Sequence, residues 1–118
     1  MAKPSPVNSV KEALAATQEC AAACRKCAAA CLEEKEIDML RACIRLDRDC
    51  AWICDLTSAY LIGNSSFAGQ AAQLCAEICD ACAEECEKHA DAMDHCRECA
   101  EACRRCAEAC RSVAGVPA

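Results

Sequence analysis

Four cysteines stand at spacings of four, three and four in the stretch CAAACRKCAAAC, residues 20–31, and alanine fills nearly every position between them. Steps of three and four return to the same face of an α-helix, so Cys20, Cys24, Cys27 and Cys31 form one stripe of sulfur if the segment is helical. Alternation of period two is absent along the chain, and alanine, glutamate and leucine dominate, so no strand pattern competes. The fold class read from this is all-α.

The register repeats. Cys20, Cys24, Cys27 and Cys31 recur 55 residues later as Cys75, Cys79, Cys82 and Cys86, and Cys43, Cys50 and Cys54 recur 56 residues later as Cys99, Cys106 and Cys110. The chain therefore reads as two related helical hairpins. They differ where Cys96 and Cys103 of the fourth helix replace Leu40 and Asp47 of the second.

The expected organisation is a loose tail over 1–8, a bundle over 9–114 and a short tail over 115–118. Pro4 and Pro6 mark the first tail. Ser9, three residues before Glu12, has the pattern of a capping box that starts a first helix running to about Glu33. EEKE is a turn. A second helix runs from about Ile37 to Ile62, stopped by Gly63 in the left-handed conformation and by NSS. Ser66 caps a third helix through about His89, and Asp91 caps a fourth that ends near Val113, ahead of Gly115 and Pro117. Long helices with short connections favour an antiparallel up-down-up-down four-helix bundle, about 30 to 40 Å long at 1.5 Å per residue. Each sulfur stripe occupies the positions that a bundle directs inward, giving a cysteine-lined interior, and the intervening alanines let the helices approach closely.

Composition narrows what such an interior is for. A chain of 118 residues has the size of one domain, and its 16 cysteines are accompanied by a single Trp, Tyr and Phe, so aromatic packing does not fill the core. A net charge of −6 argues against a nucleic-acid partner. The N-terminal MAKPSPVNSV lacks the apolar run of a secretory signal, and no segment approaches the ~18 apolar residues of a membrane span. The expected location is the cytoplasm. There disulfides are kept reduced, and dense cysteine points to metal or redox chemistry instead of a covalent framework.

Simple packing of small apolar residues explains a few buried thiols, but alanine or valine would serve for sixteen without the oxidation hazard. The CxxC pairs Cys24–Cys27, Cys79–Cys82, Cys96–Cys99 and Cys103–Cys106 suggest thioredoxin-like chemistry, yet they lie inside helices and no βαβ unit accompanies them. Neighbouring thiols on one helix are poorly directed for disulfides, and iron–sulfur motifs are typically short and loop-borne. Metal binding remains. Bare thiolates are too costly to bury, so the empty interior keeps its thiols protonated and metal must replace protons. Cu(I) is soft, monovalent and content with two or three sulfurs, so exchanging it for H⁺ leaves the charge unchanged and allows roughly one copper per cysteine. Zinc is the rival, with about four Cys₄ sites that each carry two excess negative charges. The alternative reading is accordingly a zinc-binding or thiol-redox structural protein. No set of residues combines nucleophile, base and oxyanion site, so no enzyme is expected.

In CAAACRKCAAAC, CIRLDRDCAWIC, CAEICDACAEEC and CRECAEACRRCAEAC the chain resembles the copper storage proteins, cysteine-rich four-helix bundles that hold many Cu(I) ions, and the resemblance spans about residues 9–113. The lack of a leader resembles the cytosolic branch, for which the family implies copper sequestration and a homotetramer. A copper chaperone as donor is a further expected partner.

The two ends of the bundle differ in character. The first and third turns carry Met39, His89, Met93 and His95 and make one end soft and polar, expected to admit copper, with His89, His95 and Met39 joining the sixteen cysteines as candidate ligands. The resemblance, which includes histidines near the open end, supports the two histidines. The other end carries Val10, Leu14, Leu61, Ile62, Phe67 and Val113 and is expected to be an apolar plug. Asp47 lies on the thiol face, either as a carboxylate near the metal row or in an ion pair. Trp52 and Leu56 fall on the outer side of the second helix, where exposed apolar residues suggest self-association. Arg104, Arg105 and Glu108 read as a solvated face.

Overall fold

The structure is a computed structural model that describes residues 6–115. Four helices account for almost all of it: α1 (Pro6–Leu32), α2 (Arg41–Ile62), α3 (Ala68–Glu87) and α4 (Asp94–Ala114), with a short 3-10 helix at Ile37–Leu40 leading into α2. Each helix packs against two neighbours around a ring, α1 on α2 and α4, and α3 on α2 and α4. Among the described residues the diagonal pairs make no close backbone contact. This is the up-down-up-down bundle read from the sequence, with its axis left to side chains.

The interior is built from the two residue types that the pattern singled out. All sixteen cysteines are fully buried, and the alanines between them, Ala21, Ala51, Ala76, Ala83, Ala100 and Ala107, are buried at the seams where helices meet. Small seam residues bring the helices close, which is what lets short cysteine side chains meet across the axis. On the outside, ion pairs tie neighbours together: Lys26 with Glu98 and Arg105 with Glu19 across α1 and α4, and Arg104 with Glu87 and Asp80 across α4 and α3. Such exposed pairs contribute about 0–1 kcal/mol each, so they orient the helices more than they hold them.

The helix boundaries differ from those expected. Helix α1 begins at Pro6, because proline's fixed φ suits a first helical residue; Ser9 is buried within the helix and caps nothing. Residues 6–8, expected in the tail, are thus helical, while 1–5 and 116–118 lie outside the described residues. Helix α2 ends with Gly63 at φ −82°, and it is Asn64, at φ 52°, that takes the left-handed position. The Ser65 N–H donates to the Tyr60 carbonyl at 2.9 Å and the Asn64 N–H to that of Leu61 at 3.3 Å, which closes a Schellman motif one residue later than the glycine suggested. Ser66 does not cap α3: Phe67 holds the N-cap position, its N–H accepted by the Ser65 hydroxyl at 3.1 Å. Asp91 does not cap α4, which starts at Asp94 behind Met93.

The far end is less greasy than expected. Val113 is buried and Val10, Leu14 and Leu61 are half-buried, but Ile62 and Phe67 are 67% and 58% exposed and plug nothing. In their place, Thr17 and Thr57 are fully buried beyond the last sulfurs. Their hydroxyls donate to backbone carbonyls, Thr17 to Leu14 at 3.0 Å and Thr57 to Ala71 at 3.3 Å, so each polar group is satisfied inside a small-residue cap.

Candidate metal centre

The sulfur atoms form a ladder along the bundle axis. Because α1 and α3 rise while α2 and α4 descend, cysteines from all four helices meet at successive heights. Near the His/Met end Cys27, Cys31, Cys43 and Cys96 have their sulfurs within 4.8 Å of one another. Next come Cys24, Cys82, Cys99 and Cys103, then Cys20, Cys24, Cys50 and Cys103, then Cys20, Cys50, Cys54 and Cys79, and toward the far end Cys54, Cys75, Cys79 and Cys106. From the second group on, consecutive groups share members, and Asp47, in contact with Cys43, Cys82 and Cys99, links the first group to the second. Inter-helix contacts include Cys43–Cys86 at 3.3 Å, Cys50–Cys79 at 3.5 Å and Cys24–Cys99 at 3.7 Å. Cys110 extends the row beyond Cys106, 3.9 Å away. Every cysteine is a free thiol.

Burial leads at three groups of the interior, Cys31, Cys96 and Asp47, whereas hydrogen bonds between thiols lead at the other cysteines. Burial pushes the Cys31 thiol up to about 11 and raises Cys96 as well, since no water solvates a thiolate at either position. Asp47 is the one acidic side chain among the described residues that is wholly buried. Burial first, and the surrounding Cys99, Cys82 and Cys43 second, push its carboxyl up to about 12, so it is protonated at neutral pH. It sits within the ladder, accepting thiol contacts from Cys82 at 3.2 Å, Cys99 at 3.3 Å, Cys86 at 3.8 Å and Cys43 at 3.9 Å. The sequence left open whether Asp47 pairs with an arginine; it is among sulfurs instead. No lysine or arginine is buried among the described residues, so nothing inside compensates a negative charge.

The other expected ligands divide. The His89 side chain is only 12% exposed at the end of α3, with Nε2 3.2 Å from a Glu85 carboxylate oxygen. Met93 packs against the core with its sulfur 4.0 Å from Cys96 Sγ. Met39, at 61% exposed, lies outside the thiol ladder. It belongs to the 3-10 segment, in which Leu40 takes the buried position. His95 faces a cleft between α1 and α4 with Lys26, Glu98 and Arg105, beside the ladder, and its buried Nε2 has no partner among the described residues. Trp52 and Leu56 are exposed on the outer side of α2, as the helical angle required.

A ladder of protonated thiols with no internal counter-charge can exchange each proton for a monovalent thiophilic cation without building up charge. Comparisons with known proteins agree with that chemistry. A Cu(I)-bound copper storage protein of Bacillus subtilis is 45% identical, with a TM-score of 0.85 over 91% of this chain and 99% of that one. A cytosolic copper storage protein of Streptomyces lividans, loaded with five coppers, is 38% identical, with a TM-score of 0.89 over 96% of this chain and 98% of that one. Among curated proteins, an uncharacterised cysteine-rich Bacillus subtilis protein, YhjQ, is 48% identical over 50 residues, 42% of this chain. That match spans only 46% of the relative's length. The profile of the copper storage protein family matches residues 7–115. The chain belongs to the copper storage protein family.

Proposed function

We propose that the protein stores Cu(I) on the thiolates of its sixteen buried cysteines, sequestering the ion without turning over a substrate. One observation carries the reading: sixteen thiols and a wholly buried carboxyl share an interior that contains no buried lysine or arginine among the described residues. Cu(I) replacing H⁺ keeps that interior neutral up to roughly one ion per cysteine. A tetrahedral Zn(II) site on four thiolates carries two surplus negative charges, and a ladder of such sites would leave them unbalanced. The geometry of the four-sulfur groups admits either metal; the charge separates them.

The relatives supply the setting. The Bacillus protein is described as Cu(I)-bound, and the Streptomyces proteins as cytosolic and as loaded with as many as 10 copper equivalents. The present chain is accordingly a cytoplasmic store in which His89 and Met93 form the end where copper enters. A donor protein hands the ion over at that end. We read the protein as a homotetramer, a reading supported by the apolar area that the exposed Leu56, Ile62, Phe67 and Leu74 offer for self-association.

Anaerobic titration tests this. With Cu(I), ultraviolet charge-transfer absorption and bound metal should rise together to roughly sixteen ions per chain, set by the thiol count. Saturation near four Zn(II), with Cu(I) binding no deeper than that, would establish the zinc reading instead.

A further inference from the structure

The described arginines fall into two sets. Arg25, Arg41, Arg97, Arg104, Arg105 and Arg111 each reach a carboxylate. Arg45 and Arg48 reach none among the described residues, and both line one cleft of about 270 Å³ on α2 with Asp49 and Trp52. In a chain of net charge −6, two adjacent unpaired guanidinium groups reverse the local sign, and Asp49 offsets only one of them. The Arg48 guanidinium lies over the Trp52 ring, 5.2 Å from its centroid. That stacking fixes the plane of the group while leaving its N–H edge free to fork onto a carboxylate.

A second cleft, of about 140 Å³, adjoins the first at Arg48 and Trp52 and enters the seam between α1 and α2. Ala28 and Ala51 form its walls, and Cys24 and Asp47 its floor. Both floor residues are wholly buried, and Arg25 lines the same cleft. Cys24 is also a junction of the ladder, shared by the group with Cys20, Cys50 and Cys103 and the group with Cys82, Cys99 and Cys103. An ion arriving there enters the middle of the row, whereas one arriving past His89 meets the Cys31–Cys96 level first.

We propose that this α1/α2 cleft docks the Cu(I) complex of a small anionic thiol and passes the ion to Cys24, a lateral route that rests on the copper-storage reading and adds to entry at the His/Met end. The carrier's carboxylates pair with Arg45 and Arg48, and Trp52 covers its apolar stem. Transfer is a ligand exchange: the carrier sulfur–copper bond breaks as the Cys24 Sγ–copper bond forms. The Cys24 proton leaves with the carrier, which departs as a neutral thiol, and copper remains Cu(I). No oxidant is required, and the charge of the interior does not change.

Stopped-flow loading under anaerobic conditions tests the route with two donors, Cu(I)–glutathione, which is anionic, and Cu(I) in acetonitrile, whose ligand is uncharged. Arg45→Glu/Arg48→Glu should slow transfer from glutathione about tenfold or more, in the range that electrostatic steering supplies, and change transfer from acetonitrile less than about twofold. Ala28→Leu, which narrows the cleft without altering charge, should slow the glutathione donor in the same way. Circular dichroism, light scattering and final copper content should match the parent in both variants. Equal rates from glutathione in parent and variants, equal slowing from both donors, or a change of oligomeric mass on charge reversal would each overturn the route, the last by showing that a second copy covers this face. If the parent takes up no copper from either donor, the storage reading itself fails.

Discussion

The two hairpins repeat one another in cysteine register and part company at two inward positions. The α3–α4 hairpin supplies nine thiols and the α1–α2 hairpin seven, because Leu40 and Asp47 stand where α4 has Cys96 and Cys103. Leu40 is fully buried at the His/Met end, so it narrows the level that Cys27, Cys31, Cys43 and Cys96 occupy. Asp47 keeps a neutral carboxyl among four thiols in the middle of the row. The richer hairpin is nearly pure ligand. The poorer one also contributes closure, a protonated acid and, at its outer seam, the cleft that leads to Cys24. The two hairpins thus divide their labour at two positions, and at the first of them the backbone differs as well, since Leu40 ends a 3-10 helix where Cys96 lies inside α4.

Restoring or exaggerating that asymmetry gives a graded series. Leu40→Ala should have the largest effect on the apo protein, about 2–5 kcal/mol in chemical denaturation, because a fully enclosed leucine leaves a cavity; Cys96→Ala, its counterpart in the repeat, should cost distinctly less. Asp47→Asn comes next, and its sign follows from linkage. Burial, and the surrounding thiols after it, push the folded carboxyl up to about 12 from an ordinary value of 3.8, so above about pH 4 the unfolded chain gives up a proton that the folded chain keeps. Asp47 therefore lowers stability progressively as pH rises through that window, and the asparagine variant should be more stable than the parent by on the order of 2–4 kcal/mol at pH 7, with little difference at pH 4. Denaturation curves at the two pH values check it; a parent as stable at pH 7 as the variant would show the carboxyl ionised in the fold.

Asp47→Cys makes the second helix match the fourth at that level and should raise copper capacity by about one ion, counted by anaerobic titration. The smallest contrast is between the two methionines of the entry end. Met93→Ala should slow early loading, since its sulfur lies 4.0 Å from Cys96, while Met39→Ala should change neither loading nor stability beyond about 0.5 kcal/mol.

The sulfur ladder was legible in the sequence because it depends only on helical period. Steps of three and four fix which face a residue occupies, and every cysteine so placed is buried, with Asp47 among them. What escaped depends on breaks in that period or on contacts distant in sequence. Met39 and Leu40 fall in a segment that winds as a 3-10 helix, where the α-helical period no longer tells which of the two is buried. Ser66 and Asp91 have capping side chains, but α3 and α4 start where Phe67 and Met93 settle at the ends of the bundle. Gly63 was expected to turn left-handed; Asn64, the next most tolerant residue, does so one position on. Thr17 and Thr57 carry no such signal, because a buried hydroxyl is recognised only once its carbonyl partner is known, and for Thr57 that partner, Ala71, belongs to another helix.

The central claim is that the interior trades one proton for each copper and stays neutral throughout. Proton release measured in a pH-stat during anaerobic Cu(I) addition at pH 7 tests it most directly. The account predicts about one proton per copper from the first equivalent to saturation near the thiol count. Release of about two protons per metal ion, or saturation at a quarter of the thiols, would contradict it, since either result requires anionic sites that this interior has no charge to balance.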